Sequence, residues 1–142
     1  MSVRLLGRGS LGVLLIAAAC VPAVGIAAAS HTSSVPAQLV GHWKRTVSKA
    51  DIKRTGGTGV PPNAHCNLSI SKNGTASVTC TSIGSFPGTI VPAGTNRVHI
   101  KLGLPDPDTY TWSVTGAQLT FAHRTDDVSD RKAVFDGVWT RR

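Results

Sequence analysis

Glutamate does not occur in this chain. Its seven acidic residues are all aspartates, against fifteen Lys and Arg, and the formal net charge is +8. With Glu missing and a single Met, strong helix formers are scarce, while Thr, Val, Ser and Gly are abundant, which argues for strands. Aromatic residues are few and scattered, at one Tyr, three Trp and three Phe, so no base-stacking platform is available and nucleic acid is excluded as a partner. A cationic balance of this kind points instead to solubility, or to loose association with cell-wall polymers and anionic head groups at a cell surface. Catalytic signatures are missing as well: there is no Gly-x-Ser-x-Gly, no His-Glu-x-x-His and no phosphate loop. The histidines His31, His42, His65, His99 and His123 share no ligand spacing, which argues against a metal or haem site. Asp126, Asp127, Asp130 and Asp136 are interspersed with Arg124, Arg131 and Lys132, a mixture that reads as a solvated face with weak ion pairs. The chain is therefore read as a non-enzyme with neither cofactor nor metal.

Cysteine is also sparse. Three occur, and Cys20 falls within residues 1–29, which have the parts of a signal peptide. Arg4 and Arg8 supply a basic start, Leu11 to Ile16 and the alanines after them an apolar middle, and Ala27-Ala28-Ala29 a small-x-small cleavage site. The leader reads as bacterial, so a secreted or extracytoplasmic protein of the cell envelope is expected. Two alternatives stay open: the leader is retained as an anchor, or it is lipidated at Cys20. Its removal leaves Cys66 and Cys80, one pair in a small exported domain, and hence a disulfide. Residues 30–38 are read as a flexible N-terminal arm and residues 39–142 as a single domain.

Alternation of apolar and polar residues with period two marks a strand with one buried face, and it recurs along that domain. Ser71-Lys72-Asn73-Gly74-Thr75 is a tight-turn sequence. Folding about Asn73 sets Ile70 against Ala76, Leu68 against Val78 and Cys66 against Cys80, with the apolar side chains on one face and the cysteines within disulfide reach. A second hairpin runs through residues 109–114, turns at Thr115-Gly116 and returns through 117–121. It pairs Val114 with Ala117, Trp112 with Leu119 and Tyr110 with Phe121. Further strands are expected at 97–102 and, shorter, at 88–91, with one helical turn at 126–132. Residues 49–64, rich in Gly and Pro, read as a long loop. Lys44, Arg45, Lys49, Lys53 and Arg54 form a basic stretch that reads either as an ordinary solvated loop or, if the barrel forms, as one whose loop part overhangs a mouth and draws in an anionic ligand or holds the protein at an acidic cell surface.

One pattern occurs twice. Gly41-His42-Trp43-Lys44-Arg45 near the start of the domain and Gly137-Val138-Trp139-Thr140-Arg141 at its end share Gly-x-Trp-x-Arg. First and last strands so alike are expected side by side, closing an all-β, antiparallel, up-and-down barrel of about eight strands. Gly41, Trp43, Trp139 and Arg141 are the closure residues of this reading, with Arg141 lying over an indole. Tyr110, Trp112 and Phe121 face the same interior and are the candidate ligand contacts.

Gly41 and Trp43 on a first strand, with a late basic residue, Arg141 or Arg142, to pack across the indole, resemble the lipocalin-like group of the calycin barrels. The resemblance implies a binding protein for a small, partly apolar ligand, hydrophobic or anionic, entering near residues 49–64. The chain is also similar to small exported bacterial inhibitors of zinc proteases, barrels with an N-terminal arm, a Gly-x-Trp strand and one disulfide. Ser33-Ser34-Val35-Pro36-Ala37-Gln38-Leu39 precedes Gly41-His42-Trp43 as their inhibitory arm precedes the barrel. That alternative implies a protease partner, entered by residues 31–38. Protein recovered from an exporting host should begin at Ser30, with a mass two hydrogens below that of the reduced chain. Free thiols on alkylation, or a mass that retains the leader, are the outcomes that contradict this.

Overall fold

The computed structural model describes residues 34–103 and 107–142. The expected leader, residues 1–29, and Cys20 lie outside the described residues. Strands β1 (Gly41–Val47), β2 (Ala64–Ile70), β3 (Thr75–Cys80), β4 (Gly84–Pro92), β5 (Arg97–Leu102), β6 (Asp108–Thr115), β7 (Gln118–His123) and β8 (Gly137–Arg141) pair antiparallel in chain order. β8 pairs in turn with β1, Trp43 opposite Arg141 and Lys44 opposite Thr140, so the sheet closes into a barrel. Helix α1 (Lys49–Thr55) joins β1 to β2 and helix α2 (Ser129–Phe135) joins β7 to β8. Both helices lie at one end of the barrel, with the β3–β4 connection, the end of β5 and the start of β6; the other end carries the tight turns. Among the described residues no helix is long and apolar enough to cross a membrane.

The barrel exists because the alternation places apolar side chains inward on strand after strand. Trp43, Arg45 and Val47 are buried on β1 while His42, Lys44 and Thr46 are exposed, and β2, β3 and β5 follow the same rule. In the β2–β3 hairpin Cys66 faces Cys80, Leu68 faces Val78 and Ile70 faces Ala76, the register read from the sequence. The Cys66–Cys80 disulfide is thus inside the barrel wall, both residues buried. Trp43, Trp139, Tyr110, Phe121 and Phe135 fill the interior. The turn end is closed by residues 34–40: Leu39 and Val35 are buried, and the Val35 N–H donates to the Lys72 carbonyl at 3.4 Å.

Four local expectations need correction. The β6–β7 hairpin turns at Gly116-Ala117, one residue further along than read, which moves every cross-strand partner by two: Trp112 faces Phe121, Val114 faces Leu119 and Tyr110 faces His123. The turn needs a positive φ at its first central position, and Gly116 supplies it at +58°. A slip of two residues leaves each side chain on its original face, so the inward set is unchanged. Residues 49–64 are not all loop: the Ser48 hydroxyl accepts from the Asp51 N–H while the Asp51 carboxylate accepts from the Ser48 N–H, and this capping box starts α1. Helix α2 begins three residues later than expected, because Asp126 belongs to the preceding turn and accepts from the Val128 N–H at 2.8 Å. β4 is longer than residues 88–91, extending from Gly84 to Pro92.

The repeated Gly-x-Trp-x-Arg forms a reciprocal clasp across the closure seam. The Arg141 guanidinium lies 4.2 Å from the Trp43 ring centroid and donates to the carbonyls of Val40 at 3.2 Å and Gln38 at 3.0 Å. Arg45 treats the other strand alike: it lies 5.8 Å from the Trp139 ring centroid and donates to the carbonyls of Asp136 at 2.8 Å and Val134 at 2.9 Å. Each indole N–H donates to the carbonyl four residues earlier, Trp43 to Leu39 at 2.9 Å and Trp139 to Phe135 at 3.1 Å. Glycine is required where the guanidinium crosses. A Cβ on Gly41 would stand 2.9 Å from Arg141 Nη1, and one on Gly137 3.1 Å from both Arg45 Nη atoms, at φ values of +139° and +135°.

The two halves differ in burial. Arg45 is buried and also pairs with Asp51 at 2.9 Å, whereas Arg141 is exposed at the rim. Arg45→Leu should therefore cost about 3 kcal/mol, since carbonyls and a carboxylate lose a buried partner. Arg141→Leu should cost only about 1 kcal/mol. Urea unfolding of the two variants measures the difference, and equal losses would show that burial of the clasp is not what gives it strength.

Candidate functional site

An apolar cleft of about 260 Å³ opens at the helix end of the barrel. One wall is α2, through Val134 and Phe135; the others are Val60 from the α1–β2 connection, Ile83 and Phe86 beside the β3–β4 turn, and Leu102 at the end of β5. Cys80 also lines it, so the disulfide anchors the strand beneath. The connection from α1 lies close against α2. Asp130 Oδ1 accepts from the Thr58 N–H at 2.8 Å and the Gly59 N–H at 3.0 Å, and a Cβ on Gly59 would meet Asp130 Oδ2 at 2.6 Å. Glycine at position 59 thus permits the approach that shapes this side of the cleft.

Two polar networks brace the helix end. In one, Arg131 donates from Nε to Asp126 Oδ2 at 3.0 Å and from Nη2 to Asp126 Oδ1 at 3.2 Å, and it also pairs with Asp108. The Tyr110 hydroxyl donates to the same Asp126 carboxylate. Burial, and then the Asp126 carboxylate, push the Tyr110 phenol far above its ordinary value, so it stays protonated and keeps its proton on the bond to Asp126. In the other network Arg54 bridges Asp51 and Asp136, and His123 Nδ1 lies 3.0 Å from Asp136 Oδ2. Burial raises the Asp136 carboxyl, but hydrogen bonds from Arg54 and from the His123 backbone and ring outweigh it and hold the carboxyl below the ordinary carboxylate range. Asp51 is held low in the same way, by Ser48 and the two arginines, against its own burial.

The sequence-derived candidates are distributed unevenly around this site. Tyr110 and Phe121 face inward and are fully buried, with ring centroids 6.2 Å apart. Neither lines the cleft, but both pack against Phe135, whose ring lies 5.9 Å from Tyr110 and 6.2 Å from Phe121 and which itself lines the opening. Trp112 is half-buried further toward the turn end, and its indole nitrogen is buried without a partner among the described residues. Gly41, Trp43, Trp139 and Arg141 meet at the closure seam. The mixed charges near the C-terminus are not the solvated face they resemble: Asp126, Arg131 and Asp136 are all buried. Of the basic stretch, Arg54, expected in a loop over the mouth, and Arg45 on β1 are both bound to carboxylates. The cleft residues Val60, Ile83, Phe86 and Val134 carried no sequence signal. Arg45 did carry one, since it holds the same place in its motif as Arg141.

The stabilising effect of depressed carboxylates is complete above their unfolded value of about 3.9 and is lost as pH falls through the lower folded values. Thermal stability should therefore hold from neutral pH to about pH 5 and then decline steeply below about pH 4. Asp136→Asn should lower the melting temperature at pH 7 and flatten the acid decline; a decline of unchanged steepness in the variant would remove Asp136 from this role. Among the described residues, no three His, Cys or Asp side chains are grouped so as to hold a metal ion. No family model, no curated protein and no solved structure matches the chain.

Proposed function

We propose that the protein is an exported, lipocalin-like, non-catalytic binding protein that holds a small, partly apolar ligand in the cleft at the helix end of its barrel. The observation that carries this reading is the cleft itself: an opening at a barrel mouth with apolar walls and, among its charged lining residues, only Asp130 and Arg131. Apolar walls with a few placed polar groups are what small-molecule sites have in common, and they typically span ~300–1,000 Å³. A volume of about 260 Å³ suits a short chain or a single ring rather than a large ligand. The disulfide supports export, since such bonds persist in oxidising compartments.

The alternative, protease inhibition through the N-terminal arm, is less well supported. Val35 is buried against the barrel and Leu39 lies in its core, so part of the arm serves to close the turn end.

A neutral apolar fluorophore, N-phenyl-1-naphthylamine, tests the proposal. It should bind the parent protein at micromolar concentration, and Ile83→Trp, which fills the cleft from a half-buried position, should weaken binding at least tenfold. Deleting residues 30–33 should leave the affinity unchanged. Failure of the parent protein to bind the probe, or loss of binding on the deletion alone, would overturn the proposal.

A further inference from the structure

We infer that the cleft takes an amphiphile with a cationic head, an amine or quaternary ammonium on a short apolar chain, and disfavours the carboxylate of the same chain. The inference rests on the cleft being a ligand site and adds the sign of the ligand's charge. It runs against the net charge of +8, which on its own would favour an anion.

The local charges decide otherwise. Arg131 is the one cation among the described lining residues, and two carboxylates already meet it: Asp126, which it engages through both Nε and Nη2, and Asp108. The Tyr110 hydroxyl adds another donor to Asp126 without adding charge. Asp130 contributes a third carboxylate. Its Oδ1 is occupied by the N–H groups of Thr58 and Gly59, while Oδ2 accepts no hydrogen bond from a described residue. The charge of Arg131 is thus met by Asp126 and Asp108 outside the lining, which leaves Asp130 as the carboxylate that lines the cleft, with one oxygen open to a donor. An incoming carboxylate would find no unengaged cation in the lining. An incoming ammonium would find Asp130 Oδ2, and the aromatic rings of Phe86 and Phe135, whose faces attract cations and repel anions.

The basic residues that might reverse this are engaged or lie outside the lining. Arg45 is bound to Asp51, and Arg54 to Asp51 and Asp136. Lys53, Arg124 and Lys132 are not among the residues that form the cleft. At physiological ionic strength charges are screened over ~8 Å, which weakens cations outside the lining relative to a carboxylate in it.

Three probes of one chain length separate the possibilities: octylammonium, octanol and octanoate, titrated at pH 7 and 0.15 M salt by displacement of N-phenyl-1-naphthylamine. Octylammonium should bind at least about tenfold more tightly than octanoate, with octanol between them. Asp130→Asn keeps an oxygen for the Thr58 and Gly59 amides and should fold. It should weaken octylammonium about fivefold while leaving octanol unchanged, which a merely structural role for Asp130 would not do. Equal affinity for all three probes, a preference for octanoate, or an equal effect of Asp130→Asn on octylammonium and octanol would overturn the charge inference and leave the cleft reading standing. Failure of all three to displace the fluorophore, or of the fluorophore to bind, would overturn both.

Discussion

The closure of the barrel depends on two arginines that each lie across the other strand's tryptophan. β1 and β8 are the ends of a linear run of strands, and two ends of a sheet do not pair unless something holds them in register against the entropy of the long chain between them. The ladder there is short, with Trp43 opposite Arg141 and Lys44 opposite Thr140. The clasp supplies the rest. Each guanidinium covers an indole face and binds two backbone carbonyls that precede the opposing glycine. A buried Trp removes ~150–250 Å² from water, so fixing both indoles also fixes the centre of the core. The aromatic stack follows from that placement: Phe135 lies 5.9 Å from Trp139 and from Tyr110, and it carries α2 onto the open end.

The second organising feature is where the acids are. All six described aspartates, Asp51, Asp108, Asp126, Asp127, Asp130 and Asp136, fall in or beside the connections at the helix end. Every ion pair described in the structure is there too, from Arg45–Asp51 to Arg131–Asp108. Acid side chains are used to hold helices and loops across the mouth, while Lys44, Lys72, Arg97 and Lys101 stand exposed elsewhere. The net charge of the chain therefore describes its walls and turn end, and it is a poor guide to the electrostatics of the cleft.

Legibility in the sequence differed with the range of the interaction. The β2–β3 hairpin was readable to the residue, because Asn73-Gly74 sets the turn and a slip of one would expose Leu68, Val78 and the cysteines. The cross-strand partners of the β6–β7 hairpin were read two residues out, since Thr115-Gly116 and Gly116-Ala117 both offer a turn and both keep the same faces inward. The start of α1 was available in Ser48 and Asp51, but a capping box with Asp in place of Glu, followed by a glycine-rich stretch, reads locally as loop. Tyr110 and Phe121 were recognisable as interior residues. That the opening lies beyond Phe135 was not, because α2 packs there through tertiary contacts alone.

By itself the sequence determined the class of fold, the strand count, the disulfide and the pairing of first with last strand. These follow from period-two alternation, turn residues and a repeated motif, each a matter of near neighbours or of self-similarity. Only the tertiary structure decided which charges are spent and where the cleft lies. Arg45 meets the Asp136 carbonyl, Arg54 meets its carboxylate, and the Gly59 amide meets Asp130, partners separated by 91, 82 and 71 residues along the chain. Contacts at that separation depend on how a closed barrel brings its connections together at one end, and no local pattern of residues encodes them.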